Sequence, residues 1–220
     1  LFEHCRDNTW VVVPATGETA AARAALDALA AGWGMRLSDD EAARLMAFAE
    51  LLVRWNERIN LTGARTMEAL IAEHFPDSFA VATVLTEAAR VIDVGSGGGL
   101  PAIPLAVLRP ALQIQLLEPL AKKVAFLRTA VREMGFGAAV TVEARRVKEV
   151  IGSAPGSFDV ALSRATFPPA EWLELGQKLV RPGGRVLLLT VPKTQLPGRR
   201  LSYEGGRRVL IQVDRPERST

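Results

Sequence analysis

Apolar positions in the first third of the chain recur at a helical period. Leu45, Phe48, Ala49, Leu52, Trp55 and Ile59 fall on one stripe of a repeat of about 3.6 residues. Ser38 and Glu41 stand ahead of that stripe as a capping-box pair, which predicts where the helix begins. Residues 18–31, rich in alanine and leucine and followed by Gly32, predict an earlier helix. Gly63 is expected to stop the second helix. A short helix over 66–75 is expected to break at Pro76, with another starting over 77–85.

From Arg90 the pattern changes to short apolar runs alternating with helical stretches. Strands are predicted at 90–94, 113–118, 140–143, 158–162, 185–191 and 208–213, with helices at 101–108, 120–134, 146–151 and 168–180. Runs such as Val91-Ile92-Asp93-Val94 are apolar toward both faces, the mark of a parallel sheet covered by helices on each side. The expected fold is therefore α/β: a doubly wound, Rossmann-like sheet over 89–220, preceded by a small helical subdomain over 1–88. Segment 192–206 reads as a long irregular connection. Residues 1–17 begin at Leu1 rather than methionine, carry no functional weight, and are expected to be disordered or foreign to the fold.

Composition narrows the picture only a little. The 220 residues are 49% apolar and 23% charged, with a net charge of +3, an ordinary globular balance that leans basic. A polyanionic partner fits that lean, as do many neutral ones. One cysteine, Cys5, excludes an internal disulfide and a cysteine metal cluster, so no metal site is expected and a reducing, cytoplasmic setting fits. The longest apolar stretch, Leu100 to Leu108, is short and holds two prolines, so no membrane span is expected.

The candidate chemistry lies at the end of the first predicted strand. Val91-Ile92-Asp93-Val94-Gly95-Ser96-Gly97-Gly98-Gly99-Leu100-Pro101 reads as strand, bulk-free loop, then a helix with Pro101 at its first position. A P-loop is excluded, because no lysine follows the glycines. Gly97, Gly99 and Ala102 formally satisfy the loose dinucleotide fingerprint. S-adenosylmethionine explains more. Asp93 can hold its cationic amino group, Gly95 and Gly97 admit the nucleoside, and Glu118, ending the second strand, can accept both ribose hydroxyls.

Among methyl-transfer chemistries, carbon-5 pyrimidine attack needs a cysteine, and Cys5 is poorly placed. Exocyclic-amine transfer favours an acid or amide before two prolines and an aromatic after them. Thr166-Phe167-Pro168-Pro169-Ala170 has neither. Guanine N7 carries a free lone pair and needs alignment rather than a base.

The order of motifs resembles the bacterial 16S ribosomal RNA guanine-N7 methyltransferase family RsmG, or GidB, over residues 38–191. The matching elements are Trp55-Asn56-Glu57-Arg58-Ile59-Asn60-Leu61-Thr62, His74-Phe75-Pro76-Asp77-Ser78, the 93–104 loop, Glu118 to Leu127, and Phe158 to Ala165. The resemblance implies a class I methyltransferase sheet, S-adenosylmethionine as donor, and 16S rRNA or the small ribosomal subunit as partner, with a monomer expected. It places donor contacts at Gly95, Leu100 and Glu118, main-chain adenine contacts at Val147 and Lys148, and Arg164 at the donor–acceptor boundary as a positioning residue. This chain departs from the family where Arg-Ala-Glu is common, reading Arg146-Val147-Lys148, and where Lys-Gly is common, reading Thr190-Val191.

RNA phosphates suit Lys122, Lys123 and Arg128 on one helix. Asn56, Asn60 and Thr62, at a helix end, suit either capping or RNA contact. His74 reads as a packed, hydrogen-bonded histidine, and the four tryptophans mostly as core. Two other functions stay open: a noncatalytic RNA-binding assembly factor, and a nicotinamide-dependent oxidoreductase.

Overall fold

The computed structural model describes the backbone of residues 2–4 and 10–12 and all of residues 17–217. Two short strands, β1 (Phe2–His4) and β2 (Trp10–Val12), pair antiparallel. The rest of 1–16, including Cys5, and the side chain of Trp10 lie outside the described residues, as does most of the expectation for 1–17.

Three helices follow: α1 (Gly17–Gly32), α2 (Asp39–Asn56) and α3 (Met67–Val84). The predicted capping box opens α2: Ser38 Oγ accepts from the Glu41 N–H, and the Glu41 carboxylate accepts from the Ser38 N–H. The α2 helix ends at Asn56, well before Gly63. The expected break at Pro76 is not there, because α3 runs through it. A helix-interior proline costs about 3 kcal/mol, but α3 buries eleven residues, Phe75, Pro76 and Phe79 among them. At about 1.5–3 kcal/mol for each large apolar side chain buried, packing outweighs the break.

Next come β3 (Arg90–Val94), α4 (Ala102–Leu108), β4 (Gln113–Leu117), α5 (Ala121–Glu133), β5 (Val140–Glu143), α6 (Val147–Ser153), β6 (Phe158–Arg164), α7 (Pro169–Leu179), β7 (Val180–Thr190), β8 (Arg199–Tyr203) and β9 (Arg208–Asp214). Strands β3 to β9 make one seven-stranded sheet in the order β5-β4-β3-β6-β7-β9-β8. The first five are parallel; β9, reached without a crossover helix, runs antiparallel to β7. Segment 192–206 is not wholly irregular, since β8 pairs with β9. Its sequence, Arg-Arg-Leu-Ser-Tyr, lacks an apolar run because it is a mostly exposed edge strand, where charge blunts unwanted pairing.

Alternation along the strands sorts the core into two layers. Val91, Leu116, Val160 and Leu162 face α1 to α5; Ile92, Val94, Leu117 and Ala161 face α6 and α7 with the fully buried Trp172. Trp55 meets Phe126 edge-on at 5.6 Å, fastening α2 to α5, so the N-terminal helices share one core with the sheet. The chain reverses direction across the sheet between β3 and β6. Crevices of open α/β sheets form beyond the carboxyl ends of strands at such a point.

Candidate active site: two clefts that meet at Arg164

The glycine loop hangs from the strand ends by its own backbone. The Gly95 and Ser96 N–H groups both donate to the Leu117 carbonyl, at 2.8 and 3.2 Å, and the Gly99 N–H donates to the Ser96 carbonyl at 2.7 Å. The Gly97 N–H donates to a Glu118 carboxylate oxygen at 3.0 Å, and the Leu120 N–H donates to the other at 3.0 Å. Most of the loop donors are thus occupied, and two carboxylates flank the loop. A dinucleotide pyrophosphate needs the opposite, free N–H groups and positive potential. Pro101 caps α4 rather than occupying its first turn, and its carbonyl accepts from Ser78 Oγ at 2.9 Å, tying the loop to α3.

Asp93 lies beneath this loop, 1% exposed, and its Oδ2 is the buried side-chain polar atom without a hydrogen-bond partner among the described residues. Burial pushes its carboxyl up to about 7; the nearby Glu118 carboxylate acts in the same direction, against Ser96 and Arg164. A buried carboxylate oxygen left unpaired is costly. An amino group carrying positive charge would satisfy it.

A cleft of about 620 Å³ opens beyond the strand ends, lined by Gly95, Glu118, Leu120, Lys123, Arg145 and Thr166, among others. Gly95 has φ +79°, and a Cβ there would stand 2.4–3.0 Å from the Thr166 side chain, so glycine is required on both counts. Leu100 is buried behind the loop, while Gly97 is half-buried at its turn. Val147 and Lys148 open α6, where main-chain N–H groups have no partner within the helix. Lys123, read from sequence as a phosphate contact, lines this cleft; Lys122, Arg128 and Asn60 are exposed outside it.

A second cleft, about 780 Å³, is lined by Glu73, His74, Asp77, Thr190, Val191 and Arg208, among others. Arg164 and Ala165 line both clefts and so form the wall between them. Ala165 holds φ +52°, a strained conformation for a residue with a Cβ, at the point where the clefts meet.

Arg164 is held from α3. Its Nη1 donates to His74 Nδ1 at 3.2 Å and to Asp77 Oδ2 at 3.0 Å. A guanidinium can only donate, so His74 Nδ1 accepts and the Nε2–H donates to Thr62 Oγ1. Burial, then Arg164 and Arg208, lower the His74 pKa to about 4, so the ring stays neutral with both nitrogens engaged. It has no nitrogen left to act as a general base. Asp77 Oδ1 accepts from the Tyr203 hydroxyl at 2.6 Å and from Arg208 at 2.9 Å.

The motif ahead of the glycine loop works from behind. Asn56 Nδ2 donates to the Thr62 and Ala64 carbonyls, each at 2.9 Å, and its Oδ1 accepts from the Leu61 and Thr62 N–H groups at 2.8 and 3.0 Å. That knot sets Leu61 against Gly98 and Thr62 against His74. Asn56 is therefore a buried structural residue. The sequence also holds the pairs Arg145-Arg146, Arg199-Arg200 and Arg207-Arg208, and they do not form one face: Arg145 and Arg146 border the first cleft, Arg207 and Arg208 the second, and Arg199 pairs with Asp214. Sequence reasoning missed the roles of Asp77, Thr166, Tyr203 and Arg208. An acid set among Phe75, Pro76, Phe79 and Ala80 was the available signal for Asp77; nothing local marked Tyr203.

Comparison with known proteins accords with this geometry. Residues 41–199 match the family model GidB, described as rRNA small subunit methyltransferase G. A ribosomal RNA small subunit methyltransferase G of Azoarcus sp. is 38% identical over 174 residues, covering 79% of this chain and 77% of the relative. The protein of that name from Myxococcus xanthus is 35% identical over 172 residues, 76% of this chain and 79% of its own. An O-methyltransferase family protein of Burkholderia thailandensis superposes with a TM-score of 0.51 at 17% identity, over 87% of this chain and 77% of that one. It shares the class I methyltransferase fold. With the family model spanning most of the sequence, the chain belongs to the GidB family, rRNA small subunit methyltransferase G.

Proposed function

We propose that the first cleft binds S-adenosylmethionine and that the chain methylates N7 of a guanine in 16S rRNA of the small ribosomal subunit. The observation that carries this is the junction at Arg164: two clefts meet at one wall, and the histidine there, His74, has both ring nitrogens engaged and so is not a free base. When bound, S-adenosylmethionine supplies a methyl group on a sulfonium, activated for uptake by a ring nitrogen with a free lone pair.

The protein's part is placement. Asp93 Oδ2 takes the donor's amino group, and Glu118 keeps lone pairs for the ribose hydroxyls beside its two backbone donors. Gly95, Gly97 and Leu100 give their backbone to the nucleoside, and Val147 and Lys148 theirs to the adenine. Among the described residues Arg164 donates through Nη1 alone. Its other N–H groups are available to guanine O6, the acceptor next to N7. Lys122, Arg128 and Asn60 are exposed and suited to the rRNA backbone.

Relatives named for small-subunit rRNA support that substrate class. The occupied loop N–H groups and flanking carboxylates speak against a nicotinamide dinucleotide. Titration calorimetry with S-adenosylmethionine is expected to show one site, abolished by Gly95→Trp. No heat at millimolar donor would overturn the reading in favour of a noncatalytic RNA-binding protein.

A further inference from the structure

The family match ends at residue 199, yet two residues beyond it reach the junction between the clefts. Tyr203, ending β8, and Arg208, opening β9, both donate to Asp77 Oδ1, at 2.6 and 2.9 Å. Asp77 is buried, with 3% of its side chain exposed, and its other oxygen holds Arg164 at 3.0 Å. A carboxylate gripped on one oxygen by two donors cannot turn about its Cβ–Cγ bond. Its second oxygen is then fixed in direction.

We infer that Tyr203 and Arg208 are positioning residues for methyl transfer: through Asp77 they fix the Arg164 guanidinium between the donor and acceptor clefts. The terminal hairpin thereby takes part in the reaction without touching the donor cleft. Asp77 sits between two guanidiniums, at 3.0 Å from Arg164 and 2.9 Å from Arg208. Burial, then the Asp77 carboxylate, push the Tyr203 pKa well up, so its hydroxyl remains a donor across the working range.

The kinetic test rests on the proposed methyl transfer. Tyr203→Phe keeps the ring that lies 5.7 Å from Trp33 and removes only the hydroxyl; Arg208→Met removes the second donor. Each is placed in the wild-type and Arg164→Met backgrounds and assayed by single-turnover transfer to small ribosomal subunits. Donor affinity and thermal midpoint are measured alongside. Each variant is expected to slow transfer about tenfold, the worth of one hydrogen bond to a charged group, with donor affinity unchanged. In the Arg164→Met background neither is expected to slow it further. Equal loss in both backgrounds, or loss that follows the thermal midpoint, would overturn the inference.

A readout independent of turnover separates this from the function itself. The guanidinium N–H signals of Arg164 in NMR spectra, identified by their loss in Arg164→Met, are expected to be resolved in the wild type. They should average by rotation in the Tyr203→Phe/Arg208→Met double variant; signals unchanged in the double variant would refute the positioning. A wild type that transfers no methyl contradicts the proposed function, and the guanidinium signals still decide the role of the hairpin.

Discussion

Asp93 carries a conflict between burial and charge. Its carboxyl, pushed up to about 7 by burial, titrates above the ordinary value of about 3.9 in the unfolded chain. Folding therefore takes up a proton between those values, and the group's contribution to stability, full below about pH 4, is lost as pH rises through 7. Asp93→Asn is expected to make the ligand-free protein more stable at pH 8, by up to about 4 kcal/mol less the cost of the new amide, in thermal or urea unfolding. The same variant should bind donor far more weakly. In the wild type, donor affinity is expected to rise with pH and level off above 7, with up to one proton released per donor bound below that. Calorimetry in buffers of different ionisation enthalpy measures it; no buffer dependence at pH 6 would contradict the pairing with an amino group. Gly95 offers a steric test. Gly95→Ala is expected to abolish donor binding through its clash with Thr166, and adding Thr166→Ala should restore part of it, since the contacts to Oγ1 and Cγ2 go while a tight 3.0 Å contact to the Thr166 Cβ and backbone strain of about 1–3 kcal/mol remain.

At the scale of elements, the connection between α2 and α3 is a built part of the site rather than a spacer. Four hydrogen bonds to one buried side chain, Asn56, give it its shape. Asn56→Ala is expected to destabilise the protein by roughly 2–4 kcal/mol, because buried backbone groups lose their partners. Donor binding should weaken with it, since Leu61 packs on Gly98. Unfolding in urea with parallel calorimetry checks both. The sequence showed an Asn and a Thr at a helix end but could not separate capping from RNA contact, because both use the same polar atoms. Pro76 misleads for a related reason: local chemistry predicts a break, while the buried faces that carry α3 through it come from distant residues. Strand β8 was illegible because edge strands need no apolar run.

For the whole molecule, the alternation of apolar runs and helical stretches from Arg90 onward was enough to predict the doubly wound sheet. The order β5-β4-β3-β6-β7-β9-β8 was not legible there, because it depends on which strands pair across the sheet. Gly95 and Glu118, which line the first cleft, were legible because a glycine loop and the acid ending the next strand are local patterns. Arg164 was legible only through the family resemblance, and the rest of the second cleft's hub was not, since His74 and Asp77 meet Arg164, Tyr203 and Arg208 from distant parts of the chain, through α3, β6 and the terminal hairpin. The proposed alignment of a guanine N7 with the donor at the Arg164 junction can be measured on the RNA itself. Its most direct test is to incubate the protein with small ribosomal subunits lacking the modification, with and without S-adenosylmethionine, and map 16S rRNA by borohydride and aniline scission, which reports N7-methylguanosine. One new, donor-dependent scission, lost with Gly95→Trp, is expected. Methyl incorporated into the RNA without any scission, or no incorporation by protein that binds donor, would contradict it.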